Sequence, residues 1–535
     1  MIAIFTCMRK IRCIILLMVL TTGINVKAQY NLTLAGHLSY APDQLSSIWG
    51  YTDDTGREYA LVGATQGTSI VDISAPTSPE EIFFIPGAES AWREIKTWDH
   101  YAYVTNETGG GVLIIDLTNL PDAIDTISYK GDATHDLQRA HTLFIDENGI
   151  AYFFGFNVLF GDSEGAFMAD LQADPMHPQF VGTYGDVYIH DGFVRGDTLY
   201  AAEIYEAKFE IIDATDKTDL TPIGTQNTTG NATHNCWPSD DGKYLFTTDE
   251  SLSGYISSFD ISDVTDIQLL DQIKHGDPDS TIAHNTHYLN GFLINAHYTE
   301  GVTLVDAHRP YNLVETGFYD TSVLPAGIPF GGVWGVYPYF NSGLIVASDI
   351  EEGLFILQPE YIRACYLEGT VKNEATGMGI FDAKIKIMGT DVTDSTSITG
   401  IFKTGYHQNG NYSVEVSADG CATKIYPDIV LENSVVTNLD ATLDCTLAVS
   451  DMTPTDFLFD AQYDAAVHSI ACNWQFPAGE NGIVRLSNLQ GAALQTLLVN
   501  NSGNTQINIA ALPKGIYLIT ALAGNKKVTR TIAVD

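Results

Sequence analysis

The chain has 535 residues, with 26 Lys and Arg against 66 Asp and Glu, and a formal net charge of −40. Hydrophobic residues make up 45% and aromatic residues 11%, which excludes a disordered acidic chain, because disorder of that kind requires low hydrophobicity. The negative charge argues against binding to nucleic acid or to anionic lipid. At roughly 150 residues per domain, the length predicts three or four domains.

Residues 1–28 have the pattern of a secretory signal peptide. Basic residues at 9–12 precede an apolar segment over 13–22, and the small residues Val26 and Ala28 define a cleavage site. The apolar segment is shorter than the about 20 residues of a membrane span. No later segment is apolar enough to span a membrane. We therefore expect a protein that is secreted or displayed at the outer cell surface.

Five cysteines follow the predicted signal peptide: Cys236, Cys365, Cys421, Cys445 and Cys472. An odd number leaves at least one thiol unpaired in a monomer, so this is no disulfide-dense scaffold. Cys365 and Cys445 bracket one predicted domain, and a bridge between them would join its ends. Other pairings stay open, because sequence alone does not set connectivity.

Internal repetition dominates the first 360 residues. A short β-rich run that ends in an acid occurs six times, and a seventh copy, Gly353–Leu357, lacks the acid. Each copy has strand-like segments on both sides, and four short strands in about 45 residues is the period of a β-propeller blade. The six runs end at Asp72, Asp116, Asp170, Asp213, Asp260 and Asp306. Four of these acids precede polar turns, where a carboxylate can accept a hydrogen bond from the backbone two residues on; they are Asp72, Asp116, Asp213 and Asp306.

The predicted fold class is all-β, with a seven-bladed β-propeller over residues 29–360 followed by two small β-sandwich domains. The seventh repeat stops after its third strand, whereas Leu32–Leu38 resembles Leu313–Tyr319, a fourth strand. We expect this first strand to pair with the last repeat, so that no long strand edge stays open. A parallel β-solenoid is the alternative, although its repeats are usually shorter.

The acid-terminated runs resemble the LVIVD repeats of secreted bacterial proteins, in particular the choice-of-anchor B family. The resemblance covers about residues 30–360. It implies a β-propeller outside the cell or at its surface, carried with interchangeable C-terminal anchors. It implies no defined reaction.

Two further domains are predicted at 366–446 and 453–535. The first has Gly369-Thr370-Val371 and Gly400-Ile401-Phe402 in an order that resembles the carboxypeptidase regulatory-like domain, an accessory fold without catalytic groups. The second has Lys514-Gly515-Ile516-Tyr517 and a basic last strand, and it resembles the C-terminal sorting domain of the type IX secretion system. That resemblance implies contact with the secretion machinery and removal of the tail or its exchange for a surface attachment.

Histidines recur at one place in the repeat, the start of the first strand. This strand lines the central channel of a propeller, so equivalent side chains should converge there. Repeats three to six carry His141, His190, His234 and His284, and repeats one, two and seven carry Trp49, Trp92 and Trp334. A second ring is expected at the end of the next strand, from Glu107, Glu203, Asp249, His297 and Asp349.

Imidazole and carboxylate side chains together are a plausible ligand set for Zn, Mn, Fe or Cu ions. Because side chains of a strand alternate between its faces, His284 is favoured over His287, and Cys236 can share a face with His234. Two alternatives remain open. The histidines can simply pack between blades, or they can line a pocket for a polar ligand.

Two functions follow from these patterns. The first is a binding or scaffold protein that engages an unknown protein or glycan at the cell surface. The second is an extracellular metalloenzyme, a hydrolase or oxidoreductase, with the four histidines as ligands and Glu203 or Asp249 as acid or base. The sequence has no P-loop, dinucleotide fingerprint, Gly-x-Ser-x-Gly or His-Glu-x-x-His motif, so it names neither a nucleotide cofactor nor catalytic residues.

Overall fold

The computed structural model describes residues 29–157, 165–185, 187–276, 281–325, 328–445, 457–464, 468–476, 481–488, 493–509, 512–523 and 526–534. Over these residues the secondary structure consists of β-strands and turns, with no helix. The prediction of an all-β protein is confirmed. The predicted signal peptide, residues 1–28, lies outside the described residues.

The repeats fold into seven antiparallel sheets of four strands each. In chain order, the strands are β1 (Leu32–Leu38), β2 (Leu45–Thr52), β3 (Glu58–Ala64), β4 (Gly67–Asp72), β5 (Glu80–Pro86), β6 (Ile95–Trp98), β7 (Tyr101–Val104), β8 (Val112–Asp116), β9 (Asp125–Tyr129), β10 (Thr142–Ile145), β11 (Ile150–Phe154), β12 (Ala166–Asp170), β13 (Gln179–Tyr184), β14 (Asp191–Arg195), β15 (Thr198–Glu203), β16 (Lys208–Asp213), β17 (Thr221–Asn227), β18 (Thr233–Pro238), β19 (Tyr244–Asp249), β20 (Ile256–Asp260), β21 (Gln268–Ile273), β22 (Thr286–Leu289), β23 (Phe292–Ala296), β24 (Val302–Asp306), β25 (Val314–Tyr319), β26 (Val333–Tyr337), β27 (Ile345–Asp349) and β28 (Gly353–Pro359). Sheets one to six take four consecutive strands each, from β2 to β25.

The seventh sheet joins the two ends of the repeat region. Its strand order is β1-β28-β27-β26, with Leu32 opposite Pro359 and Leu38 opposite Leu354. The expected pairing of the first strand with the last repeat is therefore confirmed. Because the strand pairings in all seven sheets are antiparallel, the parallel β-solenoid alternative is wrong.

A separate hydrophobic core lies between each sheet and the next. Between sheets seven and one, for example, Val62 and Val71 pack with Val346 and Ile356. Equivalent cores join the other six neighbouring pairs. The first strands of successive sheets contact one another from β2 to β22, and β26 contacts both β23 and β2. The start of each first strand is thereby brought toward a common centre.

The turn role predicted for Asp72, Asp116, Asp213 and Asp306 is confirmed, and Asp170 and Asp260 share it. In all six, Oδ1 accepts a hydrogen bond of 2.8–3.0 Å from the backbone N–H two residues later. Asp306 has a second role, because its other oxygen accepts from the Ala364 N–H (2.9 Å) and the Tyr366 hydroxyl (2.7 Å), while Arg363 Nη1 lies 2.7 Å from Oδ1. It thus anchors the chain that leaves the repeats.

By its contacts the chain divides into two compact units. The first runs through Lys372 and includes Gly377–Ser417 and Thr423–Thr442, so the seven sheets and most of the following module belong together. That module has two sheets, with strand orders β32-β29-β35 and β31-β30-β33-β34. Its strands are β29 (Cys365–Asn373), β30 (Lys384–Ile387), β31 (Thr393–Ser395), β32 (Ile401–Tyr406), β33 (Gly410–Ser417), β34 (Lys424–Leu431) and β35 (Val436–Leu443).

The second unit holds Asn373–Thr376, Ala418–Ala422 and the residues from Leu443 onward. Two sheets, with strand orders β36-β37-β40 and β39-β38-β41-β42, enclose a core that includes Trp474 and Ile519. The strands are β36 (Leu458–Asp464), β37 (Ser469–Gln475), β38 (Gly482–Ser487), β39 (Ala493–Val499), β40 (Ser502–Asn508), β41 (Gly515–Ala523) and β42 (Lys526–Val534).

The cysteines pair differently from the bridge considered in the sequence. Cys445 forms a disulfide with Cys421, whereas Cys365 is a buried free thiol, as are Cys236 and Cys472. The Cys365–Cys445 bridge is therefore wrong. The physical reason is that β29 places Cys365 opposite Tyr406 within the sheet, on the first unit, while both bridged cysteines lie in the second.

Candidate functional site

The four predicted histidines meet at one end of the centre enclosed by the seven sheets. His141 and His190 immediately precede β10 and β14, His234 is the second residue of β18, and His284 lies two residues before β22. Their rings form a continuous series. Successive ring centroids are 4.1 Å apart from His141 to His190, 4.4 Å from His190 to His234 and 4.3 Å from His234 to His284.

Indole rings extend this series. Trp334 lies 4.5 Å from His284, and Trp92 lies 6.4 Å from Trp334. The expectation that Trp49 joins them is wrong. Trp49 is the fifth residue of β2, further along its strand, and it packs 4.9 Å from Tyr337 at a different level of the centre.

Hydrogen bonds fix the orientation of the first two imidazoles. His141 Nδ1 pairs with the Glu107 carboxylate, which can only accept, so this nitrogen carries a proton. His141 Nε2 lies 3.1 Å from His190 Nε2. One of these two nitrogens therefore donates and the other accepts. His190 Nδ1 is buried and has no hydrogen-bond partner.

Glu250 lies beside the other two histidines. Its Oε2 is 3.9 Å from His234 Nε2, its Oε1 is 3.8 Å from His284 Nε2, and the Tyr298 hydroxyl donates a hydrogen bond to Oε1. One potential ligand atom from each of His190, His234 and Glu250 lies within 4.8 Å of the other two. Among the residues that the structure describes, this is the one group of three His, Cys, Asp or Glu side chains so arranged.

Burial shifts the ionisation of these groups. Desolvation lowers the pKa of His234 to about 4 and lowers those of His190 and His284 well below the ordinary histidine value, with repulsion from neighbouring imidazoles adding to the effect. Desolvation raises the pKa of Glu250 to about 7, although the Tyr298 hydrogen bond opposes it. Near neutral pH, the three histidines are therefore uncharged bases.

The predicted second ring does not assemble around the histidines. Glu203 pairs with Lys208 (3.1 Å), and Asp249 accepts hydrogen bonds from the Gly230 and Ala232 N–H groups. Asp349 accepts from the Thr321 hydroxyl, and His297 is buried 6.0 Å from the His275 ring. From that ring, Glu107 contacts His141.

The residues that sequence reasoning missed lie one position further along the chain, just after strands β19 and β23. Glu250 follows Asp249, and Tyr298 follows His297. Neighbouring residues of an extended chain point to opposite sides. When Asp249 bonds the backbone of the preceding loop, Glu250 is turned toward the histidines. The adjacent acids at 249 and 250 were the available signal.

Two chambers lie along the centre. The histidine chamber encloses about 310 Å³ of empty space, open solvent included, and is lined by Trp92, Arg93, Glu94, His141, Thr142, Asp191, His234, His284, Asn285 and Trp334. The tryptophan chamber, about 390 Å³, is lined by residues that include Trp49, Lys96, Cys236, Trp237 and His287. Parity thus separates His287 from His284, as expected. The expectation that Cys236 shares a face with His234 is wrong, because a β-bulge interrupts β18 between Thr233 and Asn235 and the two side chains line different chambers.

Comparison with known families finds three matches in chain order. The LVIVD repeat matches residues 57–85, the carboxypeptidase regulatory-like domain matches 366–444, and the secretion system C-terminal sorting domain matches 468–535. The first match covers most of sheet one. No curated protein matches the chain.

The chain thus carries, in this order, an LVIVD repeat, a carboxypeptidase regulatory-like domain and a secretion system sorting domain. The type IX sorting domain indicates a secreted or outer cell-surface protein that interacts with the secretion machinery. Within the described residues, no helix is long and apolar enough to cross a membrane.

Proposed function

We propose that the chain is a surface-displayed binding protein of the choice-of-anchor B type. Its seven sheets act as the blades of a β-propeller over residues 29–360, and the histidine end of its channel receives the partner. Three features support the propeller: four strands per sheet, a core between every neighbouring pair, and the first strand in the last sheet. Channel mouths of such rings are common ligand sites.

The observation that carries the binding role is a rim of exposed apolar side chains connected to the histidines. Tyr205 is 54% exposed and contacts Tyr188, whose ring is 6.1 Å from His190. Phe330 is 57% exposed and packs 5.6 Å from Tyr298, which contacts His284. Exposed aromatic groups around a concave polar site are typical of recognition surfaces.

The net charge of the protein restricts the charge of the partner that it can bind. With a net charge of −40, the protein repels polyanions, including acidic polysaccharides. Aromatic rim residues are typical of protein interfaces. We therefore propose a neutral or basic cell-surface protein as the partner, with a neutral glycan as the other outcome of the test.

A photo-crosslinking amino acid placed at Tyr205 tests this proposal. The matched control is Ile223, an exposed residue on β17, the outer strand of the same sheet. On intact cells we expect a discrete protein adduct from position 205 and none from position 223. Equal labelling at both positions, or none at either, would contradict the binding role, and a glycan adduct would identify the other partner class.

A second candidate, an extracellular metalloenzyme, is favoured by the proximity of His190, His234 and Glu250. Glu203 and Asp249, the acid or base considered in the sequence, have other partners. Tyr298, whose hydroxyl donates a hydrogen bond to Glu250, takes their place beside the three ligands. Metal-dependent hydrolysis of model esters that is lost in Glu250→Gln would support this candidate, and hydrolysis unchanged by chelation or by Glu250→Gln would contradict it.

A further inference from the structure

We propose that His190, His234 and Glu250 bind one divalent transition-metal ion, with Zn²⁺ as the probe, at the histidine end of the channel. The inference rests on the geometry of these side chains and not on the identity of the partner. It replaces the four-histidine set expected from the sequence by two histidines and one carboxylate. His141 and His284 become supporting residues.

The separations between ligand atoms are moderately longer than those around a bound zinc ion. Zinc binds nitrogen at about 2.0–2.1 Å, so tetrahedral ligand atoms stand about 3.3 Å apart. His234 Nε2 and Glu250 Oε2 are 3.9 Å apart, and the three ligand atoms lie within 4.8 Å of one another. Rotations that move each side chain by less than about 1 Å would close the site. Three side chains from two neighbouring sheets would then share one ion.

Hydrogen bonds prepare His190 as a ligand. Glu107 accepts from His141, and His141 Nε2 lies 3.1 Å from His190 Nε2, whereas the buried His190 Nδ1 makes no hydrogen bond. Metal-binding histidines usually donate their other N–H to such a partner, which fixes the tautomer and raises basicity. His190 is more than nine-tenths buried, and an unpartnered buried nitrogen is costly unless something binds it.

His284 provides an independent sign of a ligand at this place. Its Nδ1 donates to the backbone carbonyl of Trp334, so Nε2 carries the lone pair. That nitrogen makes no hydrogen bond, although the side chain is almost fully buried, and it faces Glu250 Oε1 at 3.8 Å, beyond hydrogen-bond reach. A cation bound to Glu250 would lie close to this unpartnered nitrogen.

The charges around the site favour a cation, and its ligand atoms favour zinc or a similar transition metal. Glu94 and Asp191 line the same chamber, while the Arg93 guanidinium donates to the carbonyls of Ala64 and Ala88. Two imidazoles and one carboxylate are ligands that zinc and its neighbours prefer. Calcium and magnesium require sets of oxygen ligands that this group does not supply. We therefore expect selectivity for Zn²⁺ over Mg²⁺ and Ca²⁺.

Calorimetric titration of the chelator-treated, secreted chain with Zn²⁺ tests the site. We expect one ion per chain, unaffected by excess Mg²⁺, and at least a tenfold loss of affinity in His234→Gln and in Glu250→Gln. The matched control is His135→Gln, since His135 pairs with Asp132 at 3.0 Å on the exposed surface. This variant should bind like the parent chain.

A folding defect is separated from a binding defect by comparing thermal midpoints without metal. Glu250→Gln keeps the shape and an acceptor for Tyr298, so its metal-free midpoint should match that of the parent. Co²⁺ titration adds a second readout, because visible bands of a nitrogen-ligated ion should appear in the parent and the control but be lost in His234→Gln. No stoichiometric Zn²⁺, or equal binding by Glu250→Gln and the parent, would overturn the proposal while leaving the crosslinking result at Tyr205 untouched.

Discussion

The Nε2 atoms of His141 and His190, 49 residues apart in the chain and on adjacent sheets, lie 3.1 Å from each other. The contact exists because each residue stands at the same place in its repeat, immediately before a first strand. Glu107, from the sheet before, orients the pair. One hydrogen-bonded series therefore connects three consecutive sheets.

Removal of the carboxylate that starts this series should weaken metal binding without removing a ligand. We expect Glu107→Gln to lower Zn²⁺ affinity about 10- to 100-fold, because second partners of metal-bound histidines have effects of this size. Calorimetry measures the change. Glu147→Gln is the control, since Glu147 accepts a backbone N–H on the exposed surface. Equal affinities of the two variants would show that the series does not support the site.

Closure of the seventh sheet by β1 should contribute strongly to stability. Leu32 is buried in the core of sheets six and seven, whereas Leu34 on the same strand is exposed. We expect Leu32→Ala to cost about 2–4 kcal/mol and Leu34→Ala less than about 0.5 kcal/mol. Urea unfolding of the secreted chain measures both. Similar midpoints for the two variants would mean that β1 is not held in the sheet.

Thiol counting distinguishes the Cys421–Cys445 bridge from the alternatives. In the chain without residues 1–28, unfolding without reductant should expose three thiols, and unfolding with reductant five. Before unfolding, the three free thiols should react slowly because they are buried. The bridge should stabilise the second unit by about 3 kcal/mol. Five thiols without reductant would contradict it.

Asp271 should make the stability of the first unit depend on pH. Burial raises its pKa to about 6 although the Leu313 N–H donates to it (2.6 Å). The folded state therefore holds a proton that the unfolded state loses near pH 4. The stabilisation of the folded state by this proton is fully present below about pH 4 and is lost as the pH rises through 6.

Asp271→Asn should remove that dependence. Its stability relative to the parent should grow between pH 4 and 7, by up to about 3 kcal/mol. Urea midpoints at several pH values measure it, with exposed Asp266→Asn as the control. If the urea midpoints of Asp271→Asn and the parent change with pH in parallel, Asp271 is not the source of the pH dependence.

Deletion of residues 453–535 should stop the protein before the outer membrane. The signal peptide predicted at 1–28 would still export it across the inner membrane, whereas the sorting domain would be missing. Cell fractionation should then find the protein in the periplasm and not in the medium or on the surface. An unchanged extracellular amount would show that the tail is dispensable for export.

The repeat pattern was sufficient to predict the all-β fold, the pairing of Leu32–Leu38 with the last repeat and the turn role of acids such as Asp72. These features depend on local hydrogen bonds and on alternation along a strand, which a sequence displays directly. The four histidines were found for the same reason, since equal positions in a repeat occupy equal places in the ring.

The tertiary structure decided which side chains meet at the centre. Glu250 rather than Asp249 faces the histidines, Trp49 lies at another level, and Cys445 pairs with Cys421. A shift of one residue turns a side chain to the other face of the sheet. A bulge such as that in β18 has the same effect, because it inserts an extra residue into one strand relative to its partner. The sequence alone therefore determined the repeating scaffold. Which side chains form the site depended on the strand ends and bulges, because only the packing of the sheets decides which way a side chain points there.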